Sequence, residues 1–351
     1  MSNNENTYEE LKDSLGVDSE GNLNRYITTP YNGYVEKYPK LRELSNKQLE
    51  EQLWFASEVR VVEEDRLEML YKLDEQQQRV VKSVIPMFRR YEDDVATFWT
   101  DVYSKYFLAP ECQEGALVIA MVERAVHEVF YDRINRVFEL DNDESYLSYL
   151  TDPVFKERAR WLGETLRNED KHLVCLVFGL VEGVSLFSMF ALLRSFQANG
   201  YNLCATTVKG TKQSAVDELL HSEYLATSFN YLYGELGKSL EEDEYYYNAL
   251  LEQTHNVVEN EKYILTQLIG DSGKFNGVPI EEYFKLVEKL ADLYFERLGC
   301  KKLPFNVGES ELYSWFITSS VSYQEPDFFS KGQGKEYESH WSANDFEGVW
   351  K

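Results

Sequence analysis

The stretch that decides the fold runs from His172 to Phe196 and reads HLVCLVFGLVEGVSLFSMFALLRSF. Apolar side chains lie on every side of a helix built from it, and this pattern is typical of a helix buried in the middle of a protein. One carboxylate, Glu182, interrupts the stretch at its centre. Removing a carboxylate from water is costly unless another group compensates its charge. We therefore expect Glu182 to bind a group inside the core that compensates its charge.

Helical patterning continues on both sides of this stretch, and strands do not alternate with helices. A polar, tyrosine-containing N-terminal arm, residues 1–40, precedes the first helix. The spacing of apolar residues predicts helical segments over 74–107, 111–138, 153–167, 171–199, 211–236, 241–269 and 280–298, with a turn-rich stretch at 141–152. The sequence thus predicts an all-α bundle.

Three further helices carry acidic residues on faces that are otherwise apolar. These residues are Glu92 on one helix, Glu123 with His127 on a second, and Glu218 with His221 on a third, where the sequence reads DELLH. Together with Glu182 they give four carboxylates and two histidines on four helices. The simplest physical explanation is a pair of cations inside a ferritin-like helical bundle, a di-metal carboxylate centre for which iron and manganese are suitable ions.

Two alternatives stay open at the level of single residues. Glu92 and Glu123, each taken alone, could be solvated surface acids of a very acidic protein. Asp93 is adjacent to Glu92 and could replace it as the first ligand.

Charge and cysteine content limit the classes of function. Sixty-one acidic residues against 36 basic ones give a net charge of −25, which disfavours nucleic acid as a partner. No run of about 18 uninterrupted apolar residues predicts a membrane span, and the first residues lack a signal-peptide pattern. The four cysteines form no CxxC pair and are predicted to be reduced core thiols. We expect a soluble, cytoplasmic protein without a membrane partner.

From about residue 47 to 316, the sequence resembles the small, radical-generating subunit of class I ribonucleotide reductase. The family's ligand order is acid, Glu-x-x-His, Glu, Glu-x-x-His. The resemblance implies that Glu92, Glu123 and His127 serve mainly one metal, that Glu182 and His221 serve the other, and that Glu123 and Glu218 bridge the two. It also implies that Tyr131, four residues after His127 in HEVFYDRINR, is the radical tyrosine.

The resemblance further implies a route for the radical. Asp217, just before Glu218, matches the family's partner of the first histidine, and Trp54 in EEQLWFASEV matches the next residue of the chain of transfer. Tyr337 is the candidate for the mobile tyrosine of a C-terminal tail that docks on the large subunit. The implied domain organisation is an N-terminal arm at 1–40, a di-metal domain at 41–322 and a flexible docking tail at 323–351.

The function implied by this resemblance is reduction of ribonucleotides to deoxyribonucleotides by a separate large subunit. The small subunit, a homodimer in the family, would use oxygen and a di-iron centre, or alternatively a dimanganese or manganese–iron centre, to oxidise Tyr131. Rival interpretations are a di-metal oxidase or monooxygenase of the same fold, a ferritin-like storage protein, and a scaffold without metal.

One departure from the family pattern concerns the first acid–histidine pair. Glu123 and His127 are separated by three residues, where the family has two. A spacing of four still places both side chains on one helix face, and the additional residue predicts a local bulge in the helix.

Overall fold

The computed structural model describes residues 17, 25–31, 36–59 and 63–321. The predicted tail with Tyr337 lies outside these residues, and the domain boundaries remain predictions. The described chain is a helical bundle, as predicted. Its helices are α1 Pro39–Lys47, α2 Glu63–Tyr71, α3 Glu75–Phe98, α4 Pro110–Val122, α5 Glu128–Val137, α6 Asp143–Thr151, α7 Lys156–Arg167, α8 Lys171–Leu180, α9 Phe187–Arg194, α10 Ala205–Leu236, α11 Glu244–Ile269, α12 Ile280–Arg297 and α13 Glu311–Val321. Single turns occur at Ser104–Tyr106, Ser195–Gln197, Leu240–Glu242 and Gly270–Ser272.

The stretch formed by α8 and α9 is the central helix of the bundle. It begins at the N-cap Asp170, whose carboxylate accepts a hydrogen bond from the backbone of Leu173 at 3.1 Å. Every residue from 174 to 196 is buried. By length and composition the segment Lys171–Gln197 could cross a membrane, but 94% of its most apolar window is buried inside the protein. It packs against α10, α11 and α12, so its apolar surface belongs to the core. The predicted position in the middle of the fold is confirmed.

The prediction missed helix α6 and placed the beginning of α10 too late. The stretch 141–152 was predicted as turns, but it contains α6, whose N-cap Asn142 accepts a hydrogen bond from the backbone of Ser145 at 3.0 Å. Helix α10 begins at Ala205 rather than at residue 211. There the carboxylate of Asp65, on α2, accepts hydrogen bonds from the backbone and hydroxyl of Thr207 at 2.7 and 2.8 Å. Polar capping residues look like turn residues in a sequence, and a cap from a distant helix is invisible there.

The strands found among the described residues form one small hairpin, β1 Lys274–Phe275 paired antiparallel with β2 Val278–Pro279. Asn276 and Gly277 connect them with φ angles of 48° and 80°. This Asn-Gly turn is a favoured two-residue connection, because both residues tolerate positive φ.

Four helical segments in the described chain have π geometry, in which each hydrogen bond spans five residues and not four. They are Gln48–Gln52, Trp99–Tyr103, Glu123–His127 and Val181–Ser185. The third spans the unusual acid–histidine pair, so the predicted bulge is confirmed. Such turns occur frequently at functional sites.

Candidate metal centre

Six buried side chains from four helical stretches converge in the core. They form two groups in which the potential ligand atoms all lie within 4.8 Å of one another. The groups are Glu92, Glu123, His127 and Glu218, and Glu123, Glu182, Glu218 and His221. The structure therefore brings all six predicted ligands together.

Two carboxylates are shared by the groups and lie between the two histidines. Glu123 places Oε2 at 2.9 Å from Nδ1 of His127 and Oε1 at 2.8 Å from Nδ1 of His221. Glu218 places its two oxygens at 3.3 Å from the same nitrogens. This arrangement suits carboxylates that bridge two cations, with each histidine presenting Nδ1 to one of them.

The first acid of the cluster is Glu92 and not Asp93. Glu92 is fully buried, with Oε2 at 3.7 Å from Nδ1 of His127. Asp93 is partly exposed. It pairs with Arg124 and accepts a hydrogen bond from Tyr146 at 2.7 Å. The neighbouring acid thus stabilises the outer face of the helix.

The fourth carboxylate, Glu182, has a partner that the sequence did not reveal. Its Oε2 lies 3.8 Å from Nδ1 of His221, and its Oε1 accepts a hydrogen bond from Nε1 of Trp99 at 2.7 Å. In the sequence Trp99 looks like one more apolar residue of the helix face that carries Glu92. Its indole N–H is what distinguishes it from a phenylalanine at this position.

The electrostatics of the cluster reflect charges buried together. Burial, followed by the charge of Glu123, raises the pKa of Glu92 well above its ordinary value, and burial followed by Glu218 does the same for Glu182. Burial alone would lower the pKa of His127 and of His221, but the charge of Glu123 and hydrogen bonds to carboxylates outweigh it and raise both. Burial would raise the pKa of Glu123, yet the two histidines lower it.

The donor set fits a pair of metal ions. Both oxygens of Glu92, Oε2 of Glu182, and Oε1 of Glu123 and of Glu218 are buried and make no hydrogen bond of ordinary geometry in the described part of the chain, although histidine nitrogens lie nearby. Buried polar atoms are nearly always paired, so five orphaned carboxylate oxygens in one place point to cations. Oxygen ligands with one imidazole per ion suit iron or manganese.

A second layer of hydrogen bonds orients both histidines. Oδ2 of Asp217 accepts from Nε2 of His127 at 2.9 Å and from Nε1 of Trp54 at 2.8 Å. Oδ1 accepts from the amide of Gln48 at 2.9 Å, and the Gln48 oxygen lies 3.2 Å from Nε2 of His221. The Nε2 atoms are thus held, which leaves each Nδ1 facing the cluster. Sequence reasoning missed Gln48, because it lies 169 residues from Asp217 along the chain.

Tyr131 lies one helical turn beyond His127 and is fully buried. Its ring stacks on Phe88 with centroids 4.9 Å apart, and Phe88 stacks in turn on Phe190 at 4.7 Å. Its hydroxyl has no hydrogen bond of ordinary geometry to any described residue, nor has the buried hydroxyl of Ser214. Burial, followed by the charge of Glu92, raises the pKa of Tyr131 well above 10. The phenol is therefore neutral and dry.

A probable ribonucleoside-diphosphate reductase small subunit, 376L of Invertebrate iridescent virus 6, is 27% identical over 216 residues, which are 55% of this chain and 56% of the viral protein. The chain thus matches little more than half the length of that relative.

Solved structures of ribonucleotide reductase subunits share the fold. The ribonucleotide reductase R2 subunit from Clostridium botulinum superposes with a TM-score of 0.68 at 17% identity, covering 81% of this chain and 89% of that one. The dimanganese(II)-NrdF of Streptococcus sanguinis gives 0.65 at 18% identity, covering 84% and 99%. The family model described as ribonucleotide reductase, small chain, matches residues 31–310. Because that match covers most of the chain, the protein belongs to the small-chain family of ribonucleotide reductases.

Proposed function

We propose that the protein is the radical-generating subunit of a class I ribonucleoside-diphosphate reductase, working as a homodimer with a separate large subunit in the cytoplasm. The observation that carries this proposal is the continuous contact from the cluster outward: His127 binds Asp217, and Asp217 binds Trp54. A buried tyrosine and a hydrogen-bonded relay beside the same histidine suit an enzyme that makes a radical and sends it elsewhere.

The residues that would hold the metals are the two groups described above. Glu92 and His127 belong to one ion, Glu182 and His221 to the other, with Glu123 and Glu218 shared. When bound, such a centre supplies the oxidising power, drawn from oxygen, that removes one electron and one proton from a tyrosine. Iron is our first choice for both positions. Manganese in one or both is the alternative, and one of the similar structures is described as dimanganese.

The protein positions Tyr131 and excludes water from it. Phe88 covers the ring of Tyr131, which is fully buried, and the hydroxyl makes no hydrogen bond of ordinary geometry to a described residue. A radical formed there is shielded from water and solutes. Asp217 holds His127 in one tautomer and connects it with Trp54, which is 2% exposed. The onward step to Tyr337 and the docking of residues 323–351 on the large subunit remain predictions.

The main rival is a di-metal oxidase or monooxygenase of the same fold. Such an enzyme acts on a substrate beside its metals and has no use for a relay of the kind formed by His127, Asp217 and Trp54. A storage protein has no use for it either. A scaffold without metal is disfavoured because the six ligand side chains are present and convergent.

The decisive experiment is electron paramagnetic resonance on metal-free protein that is loaded with ferrous iron and then exposed to oxygen. We expect a tyrosyl signal that Tyr131→Phe abolishes while the metal content is unchanged. Tyr149→Phe is the matched control, because Tyr149 is also buried with an unpaired hydroxyl among the described residues. Persistence of the same signal in Tyr131→Phe would contradict the assignment. Absence of any signal with iron bound would favour manganese loading.

The tail has a separate test. Truncation before Tyr337 should leave the radical signal intact and abolish turnover with the large subunit. Unchanged turnover would show that the tail does not carry the radical.

A further inference from the structure

Outside the candidate metal centre, the described chain has one more buried histidine, His172, near the beginning of α8. Its Nδ1 lies 2.7 Å from the hydroxyl of Tyr106, and its Nε2 lies 3.2 Å from the hydroxyl of Tyr233. Tyr233 donates its own proton to the carboxylate of Asp243 at 3.5 Å. In the tautomer that carries its proton on Nε2, His172 donates to the oxygen of Tyr233, and Nδ1 offers its lone pair to the hydroxyl of Tyr106.

In this arrangement the imidazole of His172 is a base positioned to accept the proton of the Tyr106 hydroxyl. Burial lowers the pKa of His172 to about 4, so the imidazole is neutral at pH 7. A tyrosine that donates to a neutral imidazole can lose its electron and its proton together. The neighbouring Tyr103 differs, because its hydroxyl bonds with Ser228 at 2.7 Å, and a serine is not a base.

A row of touching rings connects this pair with the metal cluster. Trp99 donates to Glu182, and its ring centroid lies 4.8 Å from that of Tyr103. Tyr103 lies 4.9 Å from Phe107, and Phe107 lies 4.8 Å from Tyr106. Trp99, Tyr103 and Phe107 are all fully buried. The row therefore runs through dry core from one metal ligand to Tyr106.

The same row continues to solvent on the other side of the pair. His172 stacks on Tyr246 with centroids 3.8 Å apart, and Tyr246 lies 4.9 Å from Tyr245. Tyr245 is 65% exposed. This path leaves the cluster at Glu182, whereas the relay to Trp54 leaves it at His127, so the two paths are separate.

We propose that Tyr106 and His172 form a second redox-active site, which passes oxidising equivalents from the metal centre to a one-electron reductant in solution when Tyr131 does not take them. We call the row from Trp99 through Tyr103, Phe107, Tyr106 and His172 to Tyr246 and Tyr245 the escape path. This inference rests on the proposed function, because the oxidising equivalent comes from oxygen activation.

The electrons and protons of the discharge balance. Trp99 gives one electron to the oxidised centre and recovers one from Tyr106 across the rings of Tyr103 and Phe107. Tyr106 passes its phenolic proton to Nδ1 of His172, which leaves a neutral tyrosyl radical beside an imidazolium. A one-electron reductant of the ascorbate class, acting at exposed Tyr245, then returns an electron to Tyr106 while His172 returns the proton.

The experiment is freeze-quench electron paramagnetic resonance on the iron-loaded Tyr131→Phe variant after mixing with oxygen. Protein with ring-deuterated tyrosine identifies a tyrosyl signal by its narrowed hyperfine pattern. We expect a transient tyrosyl signal, which Tyr106→Phe in the same background removes while a tryptophanyl signal lives several-fold longer. Tyr149→Phe in that background is the matched control and should leave the transient unchanged.

Failure of the inference is distinguishable from failure of the proposed function. If wild-type protein forms the Tyr131 radical but Tyr131→Phe shows no second tyrosyl signal, or one insensitive to Tyr106→Phe, the escape path is overturned. If wild-type protein forms no radical with iron, with manganese or with both metals, the proposed function is overturned and the inference with it.

A measurement on metal-free protein tests the pair independently. All four native cysteines are buried, so a ruthenium photo-oxidant can be attached selectively at Glu244→Cys, beside Tyr245. Flash oxidation should give a tyrosyl radical that moves inward and lasts several-fold longer with Tyr106 present than in Tyr106→Phe. Equal lifetimes in the two proteins would overturn the proposed redox pair.

Discussion

The indole of Trp54 donates to Oδ2 of Asp217 at 2.8 Å, on the same oxygen that receives Nε2 of His127. One carboxylate oxygen therefore serves two purposes, orienting a candidate ligand and connecting it to the next aromatic residue. We expect mutation of Asp217 to affect metal binding and radical transfer to different extents.

Asp217→Asn should preserve the shape of the site but weaken the acceptor. We expect the metal affinity to fall by about 10–100-fold, as is typical for partners of ligand histidines. At saturating metal the Tyr131 signal should form, while turnover with the large subunit is lost. Asp292→Asn is the control, since Asp292 is also buried but only caps the backbone of Phe305 and Val307. Full turnover in Asp217→Asn would refute the relay.

Gln48→Leu should act on the side of His221. The variant leaves Nε2 of His221 and Oδ1 of Asp217 without the partner that they share. We expect a loss of about 10–100-fold in affinity for one of two ions, measured by metal titration followed by elemental analysis. Gln253→Leu, which removes only the partner of Trp161, should bind both ions normally. Unchanged titration in Gln48→Leu would show that Gln48 does not position the histidine.

A buried ion pair lies beside the central helix, where Ser188 also donates a hydrogen bond to Glu261. Arg158 binds Glu261 through two hydrogen bonds, and both side chains are about 1% exposed. Removing one partner strands a buried charge, so Arg158→Met should lower the free energy of unfolding by about 3–5 kcal/mol.

The control for that variant is Arg160→Met, which breaks only exposed pairs with Glu157 and Glu164 and should change the free energy of unfolding little. The double variant Arg158→Met with Glu261→Leu should recover much of the loss, as judged by urea denaturation of metal-free protein. A small effect of Arg158→Met alone would mean that protonation of the Glu261 carboxylate removes the unpaired charge at little cost in free energy.

His172 should make stability depend on pH in a defined window. Its pKa is lowered to about 4 in the folded protein, against an ordinary value of about 6.5. The unfolded chain therefore binds more protons between these values, and stability falls as pH decreases from about 6.5 to about 4. The loss approaches roughly 3–4 kcal/mol, at about 1.4 kcal/mol for each unit of pKa difference.

The measurement compares metal-free wild type with His172→Asn by urea denaturation across that window. The difference in unfolding free energy between the two proteins should shrink toward acid pH, because the variant lacks the titrating group. A constant difference would contradict the lowered pKa.

The parts of the site that could be predicted are those where a charged or polar residue interrupts an apolar helix face in the sequence. Glu182 stands alone in an apolar stretch, and DELLH places an acid and a histidine on a buried face. The six side chains converge as those patterns indicated. Gln48 and Trp99 could not be predicted, because nothing near them in the sequence marks a glutamine or a tryptophan that will meet a distant carboxylate.

The fold could also be predicted only in part. Long amphipathic segments identified the bundle, whereas α6 and the beginning of α10 depend on capping by Asn142 and Asp65. Capping residues are the same polar types that form turns, so apolar spacing alone places such boundaries wrongly.

The four π-helical turns have a consequence for how such a site can change over generations. Each begins at or one residue before a side chain of the site or its hydrogen-bonded partners: Gln48, Trp99, Glu123 and Glu182. A π turn holds one additional residue without displacing the helix on either side. Small insertions and deletions within helices, and not only substitutions, are therefore a means by which descendants of this chain could rotate individual ligands while the bundle itself is inherited intact.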